Sequence, residues 1–248
     1  MKLIRYELNG RIYQGRIVDG RAYAVDAADG SPGHAMGEIR LLPPVQPTKV
    51  VAIGLNYRDH AEEVGLPIPE EPLLFLKPPS SVIGPGDTIV MPPQSRRVDY
   101  EAELAIAIGK TASKVTARDS RDYILGYTCL NDVTARDLQG KDGQWTRAKG
   151  FDTFCPIGPW VETEIDPLDL KIELYLNEER KQESRTSMLI FNPYLLVEFI
   201  SGVMTLFPGD VIATGTTSGI GPMKSGDTVE VRIEGIGSLT NRVEQGEP

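Results

Sequence analysis

The stretch Val98-Asp99-Tyr100-Glu101-Ala102-Glu103-Leu104-Ala105-Ile106-Ala107-Ile108 places an apolar residue at every even position from 98 to 108. A period of two marks a strand, because successive side chains point to opposite faces of the chain. One face is therefore expected to be buried. The other carries Asp99, Glu101 and Glu103 together, followed by the small Ala105, Ala107 and Gly109. Three like charges on one face repel one another. Either the face is solvated, as acidic residues usually are, or a hard cation neutralises it, since carboxylate oxygens are the ligands that Mg²⁺, Mn²⁺ and Ca²⁺ prefer.

Further along, Tyr127-Thr-Cys-Leu-Asn-Asp132 is a mostly apolar strand that ends on an acid, where a third ligand can be delivered. Two histidines and two cysteines are too thin a supply for an ordinary zinc site. A site of three carboxylates keeps coordination positions open for a substrate, as Lewis-acid catalysis requires.

Residues 1 to 42 alternate in short runs broken at Asn9-Gly10, Asp19-Gly20 and Asp29-Gly30, each a tight-turn dipeptide. Pro43-Pro44-Val45-Gln46-Pro47 then reads as a stiff linker. We expect a small β-rich N-terminal domain over 1–46 and a larger domain over 47–248. The larger part mixes strands and a few helices in no regular βαβ order, so the expected class is α+β. Asn192-Pro193 supplies an N-cap and a first-turn proline, and Leu196, Phe199, Ile200, Val203 and Met204 follow at helical spacing. Thr116 and Asp119 before Tyr123 predict a second, short capped helix. A third helix is predicted from Tyr57 to Val64, polar enough to sit at the surface or in a lid reaching to Glu71.

The 248 residues carry 35 acids against 26 bases, a formal charge of −9, with no Lys/Arg block. That balance argues against nucleic acid as a partner. The N-terminus Met1-Lys-Leu-Ile-Arg-Tyr-Glu has no signal-peptide core and no window spans a membrane, so a cytoplasmic protein is expected. Cys129 and Cys155 form no C-x-x-C pair and read as structural thiols of a reducing compartment.

Asn131-Asp-Val-Thr-Ala-Arg-Asp-Leu-Gln139, with Asp99-Tyr-Glu-Ala-Glu103 before it and Lys149-Gly-Phe-Asp152 after it, resembles the fumarylacetoacetate hydrolase superfamily. So do Gly54-Leu-Asn-Tyr-Arg-Asp-His60, Phe75-Leu-Lys-Pro78 and Gly209-Asp-Val-Ile-Ala-Thr-Gly-Thr216. Within it the chain is most similar to 2-hydroxyhepta-2,4-diene-1,7-dioate isomerase-like proteins. The resemblance implies a layered β-roll, a homodimer, and Mg²⁺ (with Mn²⁺ or Ca²⁺ as substitutes) held by Glu101, Glu103 and Asp132. It implies catalytic roles for His60, Glu63 and Lys149, and substrate contacts from Lys77, Arg136, Gln139 and Thr216.

Each of these has a plainer reading beside it. His60 is a surface histidine, or a base tuned by Glu63 three residues on, one helical step away. Lys149 is a solvated lysine, or a charge that steadies an enolate. Thr214-Gly-Thr-Thr-Ser-Gly-Ile-Gly221 is a connecting turn, or a backbone cradle for a substrate carboxylate. It is neither a P-loop nor a dinucleotide fingerprint. Arg136 is expected to reach a distal substrate carboxylate.

The function that follows is stabilisation of a 2-oxo acid enolate. By resemblance, isomerisation or decarboxylation of a seven-carbon dioate from aromatic catabolism comes first. Acylpyruvate or fumarylacetoacetate-type C–C hydrolysis, or oxaloacetate tautomerisation and decarboxylation, are the alternatives. A cation-stabilised small-ligand binding protein is the non-enzyme alternative.

Overall fold

The computed structural model describes residues 1–26 and 31–247, so the expected Asp29-Gly30 turn lies outside the described residues. Strands Lys2–Leu8 and Arg11–Val18 form a hairpin across Asn9-Gly10, whose φ angles are 50° and 77°. Asp19-Gly20 turns the chain again, at 47° and 74°, into Arg21–Ala24. Asn, Asp and Gly are the residues that bear left-handed backbone at small cost, which is why these dipeptides bend the chain. A small cluster of Ile4, Tyr6 and Ala22 lies beneath the hairpins. The first strand also pairs with the interior of the chain, Lys2 opposite Glu162 and Leu3 opposite Val161. The N-terminal meander therefore extends the central sheet.

That sheet continues antiparallel through Cys155–Glu162, Ile124–Asn131, Ala102–Ile108 and Val211–Thr216. Val50–Ile53 adds in parallel, and Leu74–Lys77 forms the far edge. A five-stranded sheet contains Thr88–Met91, Lys171–Leu176, Glu179–Arg185, Thr228–Ile233 and Gly237–Gln245. Leu104, Ile106 and Ile108 share a core with Ile172, Leu174 and Val231 of this sheet and with Leu196 and Ile200 of the helix Pro193–Val203. The fold is α+β and mostly β, with layered sheets.

Two features of the opening strand differ from expectation. Its odd side is buried too: Ala105 and Ala107 pack in a second cluster with Val50, Ala52, Leu130 and Val211. Small side chains there let the strand sit in the middle of the molecule, covered on both faces. The strand is also broken at Glu101. Val98–Tyr100 joins a separate three-stranded sheet with Thr134–Ala135 and Gly221–Pro222, whereas Ala102–Ile108 belongs to the central sheet.

The helix Pro193–Val203 forms as expected, with Asn192 Oδ1 accepting from Tyr194 N at 3.0 Å and Leu195 N at 3.1 Å. Val203, however, is 60% exposed, and Val197 takes the core position. The predicted helix after Thr116 is instead a 3₁₀ turn over Ser120–Tyr123. Thr116 Oγ1 donates to Asp119 Oδ2 at 2.8 Å and Asp119 N to Thr116 O at 3.1 Å, closing a turn that leads directly into the strand Ile124–Asn131. Both cysteines are free and buried. Burial pushes the Cys155 thiol up to about 12, so it stays a protonated packing group. Among the described residues no helix is long and apolar enough to cross a membrane.

Candidate active site

The break at Glu101 creates the site. Glu101 and Glu103 flank Ala102 at the start of a central strand, and Asp132 follows the end of the neighbouring strand Ile124–Asn131. Asn131 Oδ1 accepts from Glu101 N at 2.9 Å, and Glu101 O accepts from Asp132 N at 2.9 Å. These bonds lock the two strand ends together. As a result Glu101, Glu103 and Asp132, exposed by 5%, 1% and 0%, bring ligand oxygens within 4.8 Å of one another. Asp99 does not join them. Its carboxylate is buried against Arg97 (2.9 and 3.1 Å) and Arg136 Nε (2.9 Å), because the residues before the break run in a different sheet.

Cations brace two of the three acids. Lys149 Nζ donates to Glu101 Oε2 at 2.8 Å and to Asp132 Oδ2 at 2.6 Å. Lys77 Nζ donates to Asp132 Oδ1 and to Val133 O. Arg136 donates through Nη2 to Glu101 Oε1 and through Nη1 to Gln139 Oε1 at 2.7 Å. Burial by itself raises a carboxyl, but Lys149 and Arg136 more than offset it at Glu101 and hold that group down to about 2. Lys149 is subject to the converse balance. Burial opposes its charge, yet Asp132 and Glu101 keep it above the usual lysine value.

Glu103 has no cationic side chain upon it among the described residues; its partner is the backbone N–H of Gly215, at 2.7 Å. Burial, and then the charges of Asp132 and Glu101, push its carboxyl well above the ordinary range. A buried carboxylate left without countercharge beside two others is where a hard divalent cation completes the set. The donors are oxygens, closely spaced, and suited to such an ion.

His60, Glu101, Glu103, Arg136, Gln139, Lys149 and Thr216 line one cavity of about 70 Å³. Phe75 and Trp145 wall it, their rings 5.1 Å apart and edge to face. Lys77, Asp132 and Glu63 support these lining residues without lining the cavity themselves. His60 Nδ1 lies 2.8 Å from Glu63 Oε2. Since a carboxylate only accepts, Nδ1 carries the proton, and in the neutral ring the lone pair is then on Nε2. Glu63 Oε1 accepts in turn from Gly219 N at 2.9 Å.

The helix Arg58–Val64 that bears this pair is pinned at its start: Tyr57 is buried, and Asp59 Oδ2 accepts from Ser184 Oγ at 2.6 Å. Past Gly65 the chain is open to solvent, with Leu66, Ile68 and Leu73 all more than half exposed.

In the segment 214–221, read either as a turn or as a substrate cradle, the N–H groups at Gly215 and Gly219 bond the protein's own Glu103 and Glu63. The Thr216 hydroxyl donates to Ala102 O at 3.0 Å. Arg136, expected to await a distal carboxylate, already serves Asp99, Glu101 and Gln139. Trp145 and Asn131 were not singled out from sequence. A lone tryptophan in the polar run Lys141–Lys149 is the available sign for the first; Asn131 opens the family-like run 131–139, which is the sign for the second.

Residues 49–244 match the family model described as fumarylacetoacetate (FAA) hydrolase C-terminal. The chain belongs to this family. Among solved structures it is similar to a 5-carboxymethyl-2-hydroxymuconate delta-isomerase from Mycobacterium smegmatis, 45% identical with a TM-score of 0.93 and all of both chains covered. A 2-hydroxyhepta-2,4-diene-1,7-dioate isomerase from Mycobacterium marinum is 42% identical, with a TM-score of 0.92 and the same full coverage. A maleylpyruvate hydrolase from Sphingobium sp. SYK-6, in complex with manganese (II) ion and pyruvate, is 31% identical with a TM-score of 0.85, again over all of both chains. The mitochondrial oxaloacetate tautomerase FAHD2B of Bos taurus is 43% identical over 83% of this chain and 70% of its own. Like these family members, the chain is an enzyme.

Proposed function

We propose that this fumarylacetoacetate hydrolase family enzyme binds a divalent cation, Mg²⁺ or Mn²⁺, and moves a proton at C3 of a 2-oxo acid through its enolate. The observation that carries the reading is the uncompensated, buried Glu103 beside Glu101 and Asp132, in one cavity with a histidine whose Nε2 lone pair is free. Glu101, Glu103 and Asp132 would hold the cation, which would supply a Lewis acid to draw charge from a bound 2-oxo acid.

The chain's own residues do the rest. Lys149 uses two of its three N–H bonds on Glu101 and Asp132, which leaves one for the oxygen on which charge develops. His60 takes or returns the C3 proton through Nε2, and Glu63 holds the ring in that tautomer and steadies it when protonated. Phe75 and Trp145 keep bulk water from the enolate.

Isomerisation or decarboxylation of 2-hydroxyhepta-2,4-diene-1,7-dioate is the finer assignment, supported by full-length likeness to isomerases. Oxaloacetate tautomerisation is the second reading, supported by the 43% identity to the oxaloacetate tautomerase FAHD2B of Bos taurus.

Deuterium exchange at C3, followed by NMR over a panel of 2-oxo acids with product analysis, tests both levels. Exchange that depends on Mg²⁺ or Mn²⁺ is expected. Exchange with no member of the panel would point instead to a binding protein with a structural cation. Faster turnover of oxaloacetate enol than of the seven-carbon dioate would select the second reading.

A further inference from the structure

The strand Glu179–Arg185 reads Glu-Arg-Lys-Gln-Glu-Ser-Arg, and one of its side chains is buried: Gln182, 1% exposed. It reaches across to the central sheet at the point where that sheet is irregular. The pairing of Ala102–Ile108 with Val211–Thr216 shifts register between Glu103 and Ala105. Ala102 lies just beyond Glu103, where this ladder's pairing ends, so its main-chain groups on that side have no strand partner, and a buried unpaired amide is costly. Side chains supply the partners. Ala102 N donates to Gln182 Oε1 at 2.9 Å. Ala102 O accepts from Thr216 Oγ1 at 3.0 Å, and Thr216 Oγ1 accepts from Gln182 Nε2 at 2.9 Å. Gln182 Nε2 also donates to Thr217 O at 2.9 Å.

Ala102 is the residue between Glu101 and Glu103. Side chains of adjacent strand residues point to opposite faces, and those at i and i+2 share a face only while the backbone stays regular. Whether Glu101 and Glu103 aim at one point therefore depends on how the two peptides around Ala102 are turned. We infer that Gln182 is a positioning residue for the metal centre: directly at the N–H, and through Thr216 at the carbonyl, it fixes Ala102 so that the two glutamates converge with Asp132. Gly219, at φ +91°, keeps the following loop tight on this strand, since a Cβ there would meet Lys181 O at 2.3 Å. Gln182 touches neither the cavity nor a ligand oxygen, so it acts only through the geometry it imposes.

This inference rests on the proposed metal reading, and one titration separates the two. Mn²⁺ binding is measured by calorimetry on the wild type and on Gln182→Met, Gln182→Glu and Thr216→Val, with the Tm of each recorded in chelator. Loss of a residue that orients metal ligands lowers affinity about tenfold to a hundredfold. That loss is expected for Gln182→Met. Gln182→Glu keeps the acceptor for Ala102 N and should lose less. Thr216→Val should weaken binding as well, and combined with Gln182→Met it should cost less than the two separate losses together, because both act on one peptide.

Wild-type protein that takes up no Mn²⁺ would overturn the metal reading and this inference with it. Normal wild-type binding with an unchanged Mn²⁺ affinity in Gln182→Met, whatever its Tm, would overturn the inference alone. If Gln182→Met does not fold, unchanged affinity in both Gln182→Glu and Thr216→Val overturns it equally.

Discussion

Two regions meet in the cavity and are built in opposite ways. Glu101, Glu103 and Asp132 are buried at the ends of central strands, and cations from three separate parts of the chain, Lys77, Arg136 and Lys149, cross-brace Glu101 and Asp132. His60 and Glu63 sit on a seven-residue helix held firmly at one end, with Glu63's side chain 37% exposed and an open segment beyond. Ligand geometry tolerates little error, and the interior of a sheet supplies rigidity. A group that must exchange protons and admit substrate gains from an element that can yield. On the proposed reading, the difference makes binding the cation and moving the proton separable, and four measurements can break or sharpen that separation.

The largest effect is expected at Glu103. Glu103→Ala removes a proposed ligand outright and should cost more activity than the roughly tenfold to hundredfold loss of a mere supporting group. It also removes a buried acid with two acidic neighbours, so the Tm in chelator should hold or rise. Near-normal turnover at saturating Mg²⁺ would end the assignment of Glu103.

His60→Gln should lower kcat by about a hundredfold to ten-thousandfold, the usual worth of a positioned acid–base group. Mn²⁺ affinity and Tm should barely change, because His60 touches none of the three carboxylates. A parallel fall in Mn²⁺ affinity would mean that the two regions are not independent.

The third effect is on stability against pH in the absence of metal. The Glu103 carboxyl is raised above its ordinary 4.5, by burial first and then by Asp132 and Glu101. Between 4.5 and its folded value the folded protein holds a proton that the unfolded chain has released, so this group makes stability fall as pH rises through that window. Glu101, held down to about 2, has the opposite sign: its contribution is present above 4.5 and is lost as pH drops toward about 2. Thermal melts of metal-free protein should therefore decline from pH 4.5 upward, and saturating Mn²⁺ should flatten the decline by keeping Glu103 ionised. A metal-free profile already flat above pH 4.5 would contradict the state assigned to Glu103.

The smallest effect is a matter of timing rather than energy. Amides of Ala102–Ile108 should exchange slowly with or without ligand, whereas those from Glu62 to Leu73 should exchange fast and slow down when oxalate and Mn²⁺ are added. Equal, slow exchange of the second segment in both states would remove the case for a lid reaching to Glu71.

Much of this was legible in the sequence for local reasons. Alternation over 98–108 announces a strand, Asn9-Gly10 and Asp19-Gly20 announce turns, and Asn192-Pro193 announces a helix, because each depends on side-chain direction or backbone freedom within a few residues. The family motifs carried the choice of Glu101, Glu103 and Asp132. What only the tertiary structure decided is which charges answer one another. Asp99 shares a sequence face with Glu101 and Glu103, yet the break at Glu101 sends it to Arg97 and Arg136. Arg136 is a free cation in the sequence and a brace shared by Asp99, Glu101 and Gln139 in the fold. Gln182 lies in a strand of charges with no apolar period, and it matters because a ladder ends at Ala102 in a sheet that it does not belong to. Periodicity is a property of one segment, whereas countercharge and hydrogen-bond satisfaction belong to whichever segments cross, and crossings are set by the packing of the whole chain.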